Sequence, residues 1–120
     1  MIKTMSEKKV ARIAVCSSAS LYNELIALSR EIDNTKIDLV LPDMAERMQN
    51  GSADSNEAKI NWSEVGYGYK ASLIRGHFSV IEECDAVLVT NFAKNGKENY
   101  IGGNVLMEMT VAFYLKKPII

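Results

Sequence analysis

A chain of 120 residues supports one small domain around a single core. Its 48% hydrophobic and 24% charged residues are those of an ordinary water-soluble globular protein. The net charge of −1 argues against a nucleic-acid polymer or an anionic membrane as partner, since both reward a basic surface.

No apolar run in the sequence reaches the length of a membrane-spanning helix, and "MIKTMSEKKVARIAV" lacks a signal-peptide pattern. Cys16 and Cys84 have neither metal-ligand spacing nor the makings of a disulfide framework. The expected setting is a reducing cytoplasm, with no metal or cofactor.

In chain order, "VARIAVCSS" predicts a buried strand ending near Cys16. A first helix is expected from Ser20 as N-cap, with Glu24 in its first turn and Leu21, Leu25, Leu28 and Ile32 on one face. "KIDLVLP" predicts the second strand, closed by Pro42. Residues 43–69 are polar, rich in Gly and Ser, and long for a connection; a lid or a partly helical excursion is expected there.

A second helix is expected from about Lys70 to Cys84, with Leu73, Val80, Ile81 and Cys84 on one face. "DAVLVTN" predicts the third strand, and "FAKNGKENYIGG" the loop after it. A third helix starts near Asn104 and stops before "KKP", and "PII" opens a fourth strand. Strands alternating with helices predict an α/β fold: a Rossmann-like, flavodoxin-like parallel sheet in the order 2-1-3-4, with helices on both faces. Ligands bind such sheets beyond the carboxyl ends of the strands. "CSSAS" and "NFAKNGKENYIGGN" are therefore placed on the functional edge.

Glu108 stands out in the third helix. At helical spacing it heads an apolar stripe of Val111, Ala112 and Leu115, while Thr110 and Tyr114 mark the solvent side. A structural carboxylate satisfied by the helix start explains such a residue about as well as a functional one. Its place at the ligand edge favours function. Gly102 and Gly103 allow a ligand close to the backbone, and equally serve a tight turn. Asn104 is expected to be the N-cap, free to touch a sugar hydroxyl only if its side chain is spare. The amides of the helix start are expected to keep Glu108 ionised, suiting it to attack or stabilise an electron-poor carbon such as an anomeric centre.

Three stretches carry a family resemblance. They are "ECDAVLVTN", a strand entered from a helix; "GGNVLMEM", a turn into a helix bearing a glutamate; and "LKKPII", a Lys-Pro step ten residues after Glu108. Together they resemble the nucleoside 2-deoxyribosyltransferase family and its relatives, the nucleotide N-glycoside hydrolases. The resemblance covers most of the chain. It implies cleavage of the bond between a nucleobase and a (deoxy)ribose, of a nucleoside or a nucleoside 5'-monophosphate. The sugar passes through a covalent glycosyl-glutamate to another base or to water, and Glu108 matches the nucleophile. It also implies a homodimer or larger homo-oligomer. Many relatives continue past the fourth strand, so a single domain over residues 1–120 is expected to be either truncated there or completed by a partner subunit.

His77 falls where relatives place an aspartate that handles the leaving base, so the resemblance implies an acid role; a lone histidine between Leu73 and Ile81 also reads as a core residue. Tyr22 falls where some relatives set a tyrosine near the nucleophile. Where the monophosphate hydrolases have a glycine-rich first loop, this chain has Ser17, Ser18, Ala19 and Ser20. Ser17 and Ser18 are candidates for phosphate or ribose, though turn chemistry explains them too. Asn91 ends the third strand and is a further pocket candidate, while Lys94 and Lys97 read as a solvated loop face. Tyr69, Tyr67 and Trp62 are candidates for a ring that stacks on a base, and equally for anchoring a loop.

Cys16 ends the first strand, as in phosphocysteine carriers and small phosphatases. The arginine that phosphatases need six residues on is replaced by Tyr22, and "CSSASLY" contains no glycine. A buried structural thiol is the better reading. The remaining alternative is a non-catalytic nucleotide-binding or assembly domain on the same scaffold, in keeping with Ile101 and Gly102 where relatives often carry an aspartate.

Overall fold

The computed structural model of the chain describes residues 10–52 and 67–120. Strands β1 (Ala11–Cys16), β2 (Ile37–Val40) and β3 (Ala86–Val89) form an all-parallel sheet in the order β2-β1-β3. Ile13 stands opposite Leu39 on one side and Ala86 on the other, and Cys16 stands opposite Val89. The helices of the described residues are α1 (Tyr22–Ser29), α2 (Asp43–Gln49), α3 (Tyr67–Glu83) and α4 (Gly103–Tyr114).

The pleat of the central strand divides the core. Ala14 and Cys16 face one side, where they meet Val87 of β3, Ile81 of α3, Cys84 just past its end, and Val105 and Ala112 of α4. Val15 faces the other side and meets Leu25, Leu41 and Ala45 from α1, α2 and the end of β2. Both faces of β1 are thus covered, which explains why its sequence reads as an unbroken apolar run. No helix among the described residues is long and apolar enough to cross a membrane.

Several local expectations need correction. Ser20 does not cap the first helix. Ala19–Leu21 form a 3₁₀ turn closed by the Leu21 amide on the Ser18 carbonyl, and α1 starts only at Tyr22. The backbone has already satisfied that donor, and the Ser18 and Ser20 hydroxyls bond each other at 3.1 Å. Ile32 lies beyond the end of α1. The expected excursion over residues 43–69 begins with α2 and ends inside α3; residues 53–66, with Trp62, lie outside the described residues, and the expectation of a lid lies outside them too.

Asn104 is not an N-cap. Gly102 holds that place in extended conformation, and α4 begins at Gly103. Gly102 also lies close under the Tyr100 ring, where a Cβ would stand 3.4 Å from the phenol oxygen. The expected fourth strand does not form a ladder with the sheet, which has three strands among the described residues. Residues 118–120 run beside β3 with only an isolated parallel bridge between Ile119 and Val87. The Val87 amide donates to Pro118, the Ile120 amide to Val87 and the Val89 amide to Ile120, at 2.8–2.9 Å.

Candidate active site

The carboxyl ends of the strands deliver three loops to one edge of the sheet. Ser17 and Ser18 follow β1, Leu41 to Asp43 follow β2, and Lys94 and Tyr100 lie on the long loop after β3. With the start of α4 and one face of α3 they enclose a cavity of about 840 Å³. That volume suits a nucleoside-sized molecule, and the place is where open parallel sheets bind ligands.

Of the residues singled out in the sequence, Glu108, His77, Ser17, Ser18, Tyr22, Gly102, Gly103 and Asn104 all line this cavity. Asn91 does not. It is exposed, and its side-chain amide donates to Asn99 Oδ1 at 3.2 Å. Tyr69 is also exposed and away from the cavity, and the side chain of Tyr67 lies outside the described residues.

Lys94 reverses its expectation, because it is half-buried and borders the cavity. Asn95 and Gly96, at φ of 51° and 77°, make the tight turn that joins Lys94 to Lys97 through two backbone hydrogen bonds. That turn sets the Lys94 ammonium 4.6 Å from the centre of the Tyr100 ring, a cation–π arrangement. Asp43, Glu46, Ser72, Gly76 and Tyr100 also line the cavity. Asp43 was accessible to the rule that residues just past a parallel strand reach the ligand edge. Nothing in the local sequence marked Ser72 or Gly76.

Glu108 projects from the second turn of α4, and its side chain is 12% exposed. Its Oε2 is fully buried without a hydrogen-bond partner among the described residues. Burial raises its pKa from 4.5 to about 7, and the Cys16 thiol opposes that rise. The helix start does not keep it fully ionised at neutral pH. The favourable field of the free amides fades within the first turn, and Glu108 lies past it. Desolvation therefore wins.

His77 packs at the same spot. Its Nε2 lies 2.9 Å from the Val15 carbonyl oxygen, 4.0 Å from Cys16 Sγ and 4.0 Å from Glu108 Oε2. A carbonyl only accepts, so Nε2 carries the hydrogen and the tautomer is set. Burial lowers the His77 pKa, the Val15 bond opposing it, so the ring is neutral at pH 7. A neutral imidazole 4.0 Å from a carboxyl group makes no ion pair with it, whatever their separation suggests.

Cys16, His77 and Glu108 each offer a donor atom within 4.8 Å of the others, and the set has the residue types of a transition-metal site. In this geometry the imidazole nitrogen nearest the other two has given its hydrogen to Val15 and has no lone pair to offer. The cluster fits a hydrogen-bonded protein group better than a metal centre.

The acid role implied for His77 finds little support here, because the hydrogen faces the sheet and burial opposes the imidazolium. His77→Gln should keep turnover within about tenfold, while His77→Ala should cost about 1–3 kcal/mol of stability by orphaning the Val15 carbonyl. Steady-state rates and urea unfolding of both variants test this. A far larger rate loss, shrinking for leaving groups that need no proton, would restore the acid role.

Comparison with known proteins finds no matching family model, curated protein or solved structure.

Proposed function

We propose that the protein cleaves the N-glycosidic bond of a nucleoside or nucleoside 5'-monophosphate, with Glu108 as nucleophile. One observation carries the reading: a buried carboxylate with an oxygen unpartnered among the described residues and a raised pKa borders a nucleoside-sized cavity at the carboxyl edge of a parallel sheet. Such a group is costly to the fold, and perturbed carboxylates in clefts favour function over structure. The resemblance of "GGNVLMEM" to the deoxyribosyltransferase turn supports the same residue.

In the proposed reaction a Glu108 oxygen attacks C1' of the sugar as the C1'–N bond breaks. The base leaves with the electron pair and takes up a proton. The glycosyl ester then passes its sugar to water or to a second base. Dry walls strengthen the attraction between the carboxylate and the positive charge developing on the ring. Incubation with a panel of nucleosides and 5'-monophosphates, followed by chromatography for free base, tests the activity. An acid-quenched 2-fluoro-sugar analogue should leave a glycosyl adduct on the Glu108 peptide. A chain that binds nucleotide but releases no base would be a binding domain.

We infer that residues 118–120 open a fourth strand beside β3, giving the flavodoxin-like order 2-1-3-4; their backbone bonds to Val87 and Val89 support it. A homo-oligomer belongs to the same reading. Leu106, Phe113 and Tyr114 of α4 are 59%, 78% and 83% exposed, an apolar outer face on the helix that bears Glu108. Light scattering at micromolar concentration should show a dimer or larger species, and a monomer mass would remove this part of the proposal.

A further inference from the structure

We propose that Lys94 makes this site select a nucleoside 5'-monophosphate over the bare nucleoside, by holding the phosphate with its ammonium group. The inference rests on the cavity being a nucleoside site. It follows from where charge stands around that cavity.

The carboxyl groups that line the cavity are those of Asp43 and Glu46 from α2 and Glu108 from α4. Lys94 is the only lysine or arginine among the described residues of the lining. Arg47 does not line it and is already paired with Asp43 at 3.0 Å. A phosphate among carboxyl groups is repelled unless a cation meets it, and a cavity strengthens that attraction relative to open water. The sheet separates the two signs. Asp43 and Glu46 follow β2, Lys94 follows β3, and β1 runs between them. The cavity therefore has one cationic end, and a phosphate belongs there.

The lysine is held for this task. Its backbone is fixed by two hydrogen bonds to Lys97 across the Asn95–Gly96 turn. The Tyr100 ring, its centre 4.6 Å from the ammonium, attracts the charge by its face and leaves the N–H donors for oxygen acceptors. Among the described residues no carboxylate pairs with Lys94 and no oxygen accepts from its ammonium. A half-buried cation with unspent donors is suited to a phosphate. The serines after β1 are weaker candidates. The Ser18 and Ser20 hydroxyls bond each other at 3.1 Å, the Ser17 hydroxyl donates to the Ser18 carbonyl at 3.5 Å, and none carries charge. The phosphate takes no part in bond breaking, so its contact with Lys94 serves to hold the sugar while C1' meets Glu108.

The test measures binding, so its outcome does not depend on Glu108 being the nucleophile. Calorimetric titration compares the common 2'-deoxynucleoside 5'-monophosphates with their nucleosides, on the wild type and on Glu108→Gln. At least one monophosphate should bind about ten- to a hundredfold more tightly than its nucleoside, the worth of one hydrogen bond to a charged group. In Lys94→Met, which keeps the side-chain length without the charge, that ratio should fall to about twofold or less. Lys94→Arg keeps the charge and should retain most of the ratio. Lys97→Met removes an exposed cation of the same turn that does not line the cavity, and should leave the ratio as in the wild type. The proposal is overturned if no monophosphate binds, if nucleoside and monophosphate bind alike, or if a folded Lys94→Met protein keeps the ratio. Equal losses in Lys94→Met and Lys97→Met also overturn it, because the effect would then be the general pull of a positive loop. Release of base from nucleosides without phosphate-selective binding would keep the glycosidase reading and remove this one. Selective binding that depends on Lys94, with no base released, would do the reverse.

Discussion

Glu108→Gln is expected to lose glycosidic turnover by roughly ten-thousand-fold, the scale of removing a covalent nucleophile, while becoming more stable than the wild type above pH 7. The rate loss follows from the missing charge and nucleophilicity, since the amide keeps the size of the acid and its binding contacts. The stability gain follows from burial. Folding raises the Glu108 pKa from 4.5 to about 7, so the folded protein holds this proton more tightly than the unfolded chain. That contribution is fully present below pH 4.5 and is lost as pH rises through about 7.

Above that point the wild type carries a charge in a site that resists it, at a cost of about 3 kcal/mol. Glutamine carries none. Urea unfolding should therefore show the two proteins close together near pH 4.5 and separated by up to about 3 kcal/mol at pH 8 in favour of the variant. Wild-type kcat/KM should fall about tenfold per pH unit well below 7, as the nucleophile is protonated. A stability difference that does not vary with pH would mean that Glu108 is satisfied by the helix start after all. An equally active variant would end its assignment as nucleophile.

That contrast shows which parts of the site could be read from the chain. The place of Glu108 was legible because helical periodicity is local: the stripe from Glu108 to Leu115 needs only the spacing of side chains on one helix. Its charge state was not. It depends on β1, α1 and α3 closing around the carboxyl, and on α4 starting at Gly103 so that Glu108 falls beyond the reach of the helix start. The same division explains Asn91 and Lys94. Both lie on the loop after β3, which the sequence placed at the carboxyl edge of the sheet, where the structure has it. Which of its side chains turns inward is set by the left-handed pair Asn95 and Gly96, and by Asn99 drawing Asn91 outward. The parallel order of the first three strands was likewise readable from alternating elements. The segment 118–120 was readable as extended chain, and it meets β3 through three backbone bonds and an isolated bridge, less than a full ladder.

Gly76 had no weight in the sequence, and it is where the cavity should be easiest to close. It sits well inside α3, a helix of 17 residues, where a glycine costs about 0.5–1 kcal/mol relative to alanine. Packing among the described residues does not demand it, since a Cβ placed there meets none of their atoms within 4 Å. It borders the cavity beside His77, between Leu73 and Val80. The absent side chain leaves space that a ligand can use. Gly76→Ala should therefore stabilise the protein by about 0.5–1 kcal/mol and leave substrate affinity nearly unchanged. Gly76→Leu, also a good helix former, should fold at least as well as the wild type. Its side chain would stand in the cavity and weaken nucleoside or nucleotide binding by about a hundredfold, since overfilling a packed site costs about 1–3 kcal/mol. Calorimetric titration with a nucleotide that the wild type binds, alongside thermal unfolding, separates these effects. Unchanged affinity in a folded Gly76→Leu protein would show that the ligand keeps to the walls made by α1 and α2, away from α3. In that case His77 would not approach the base.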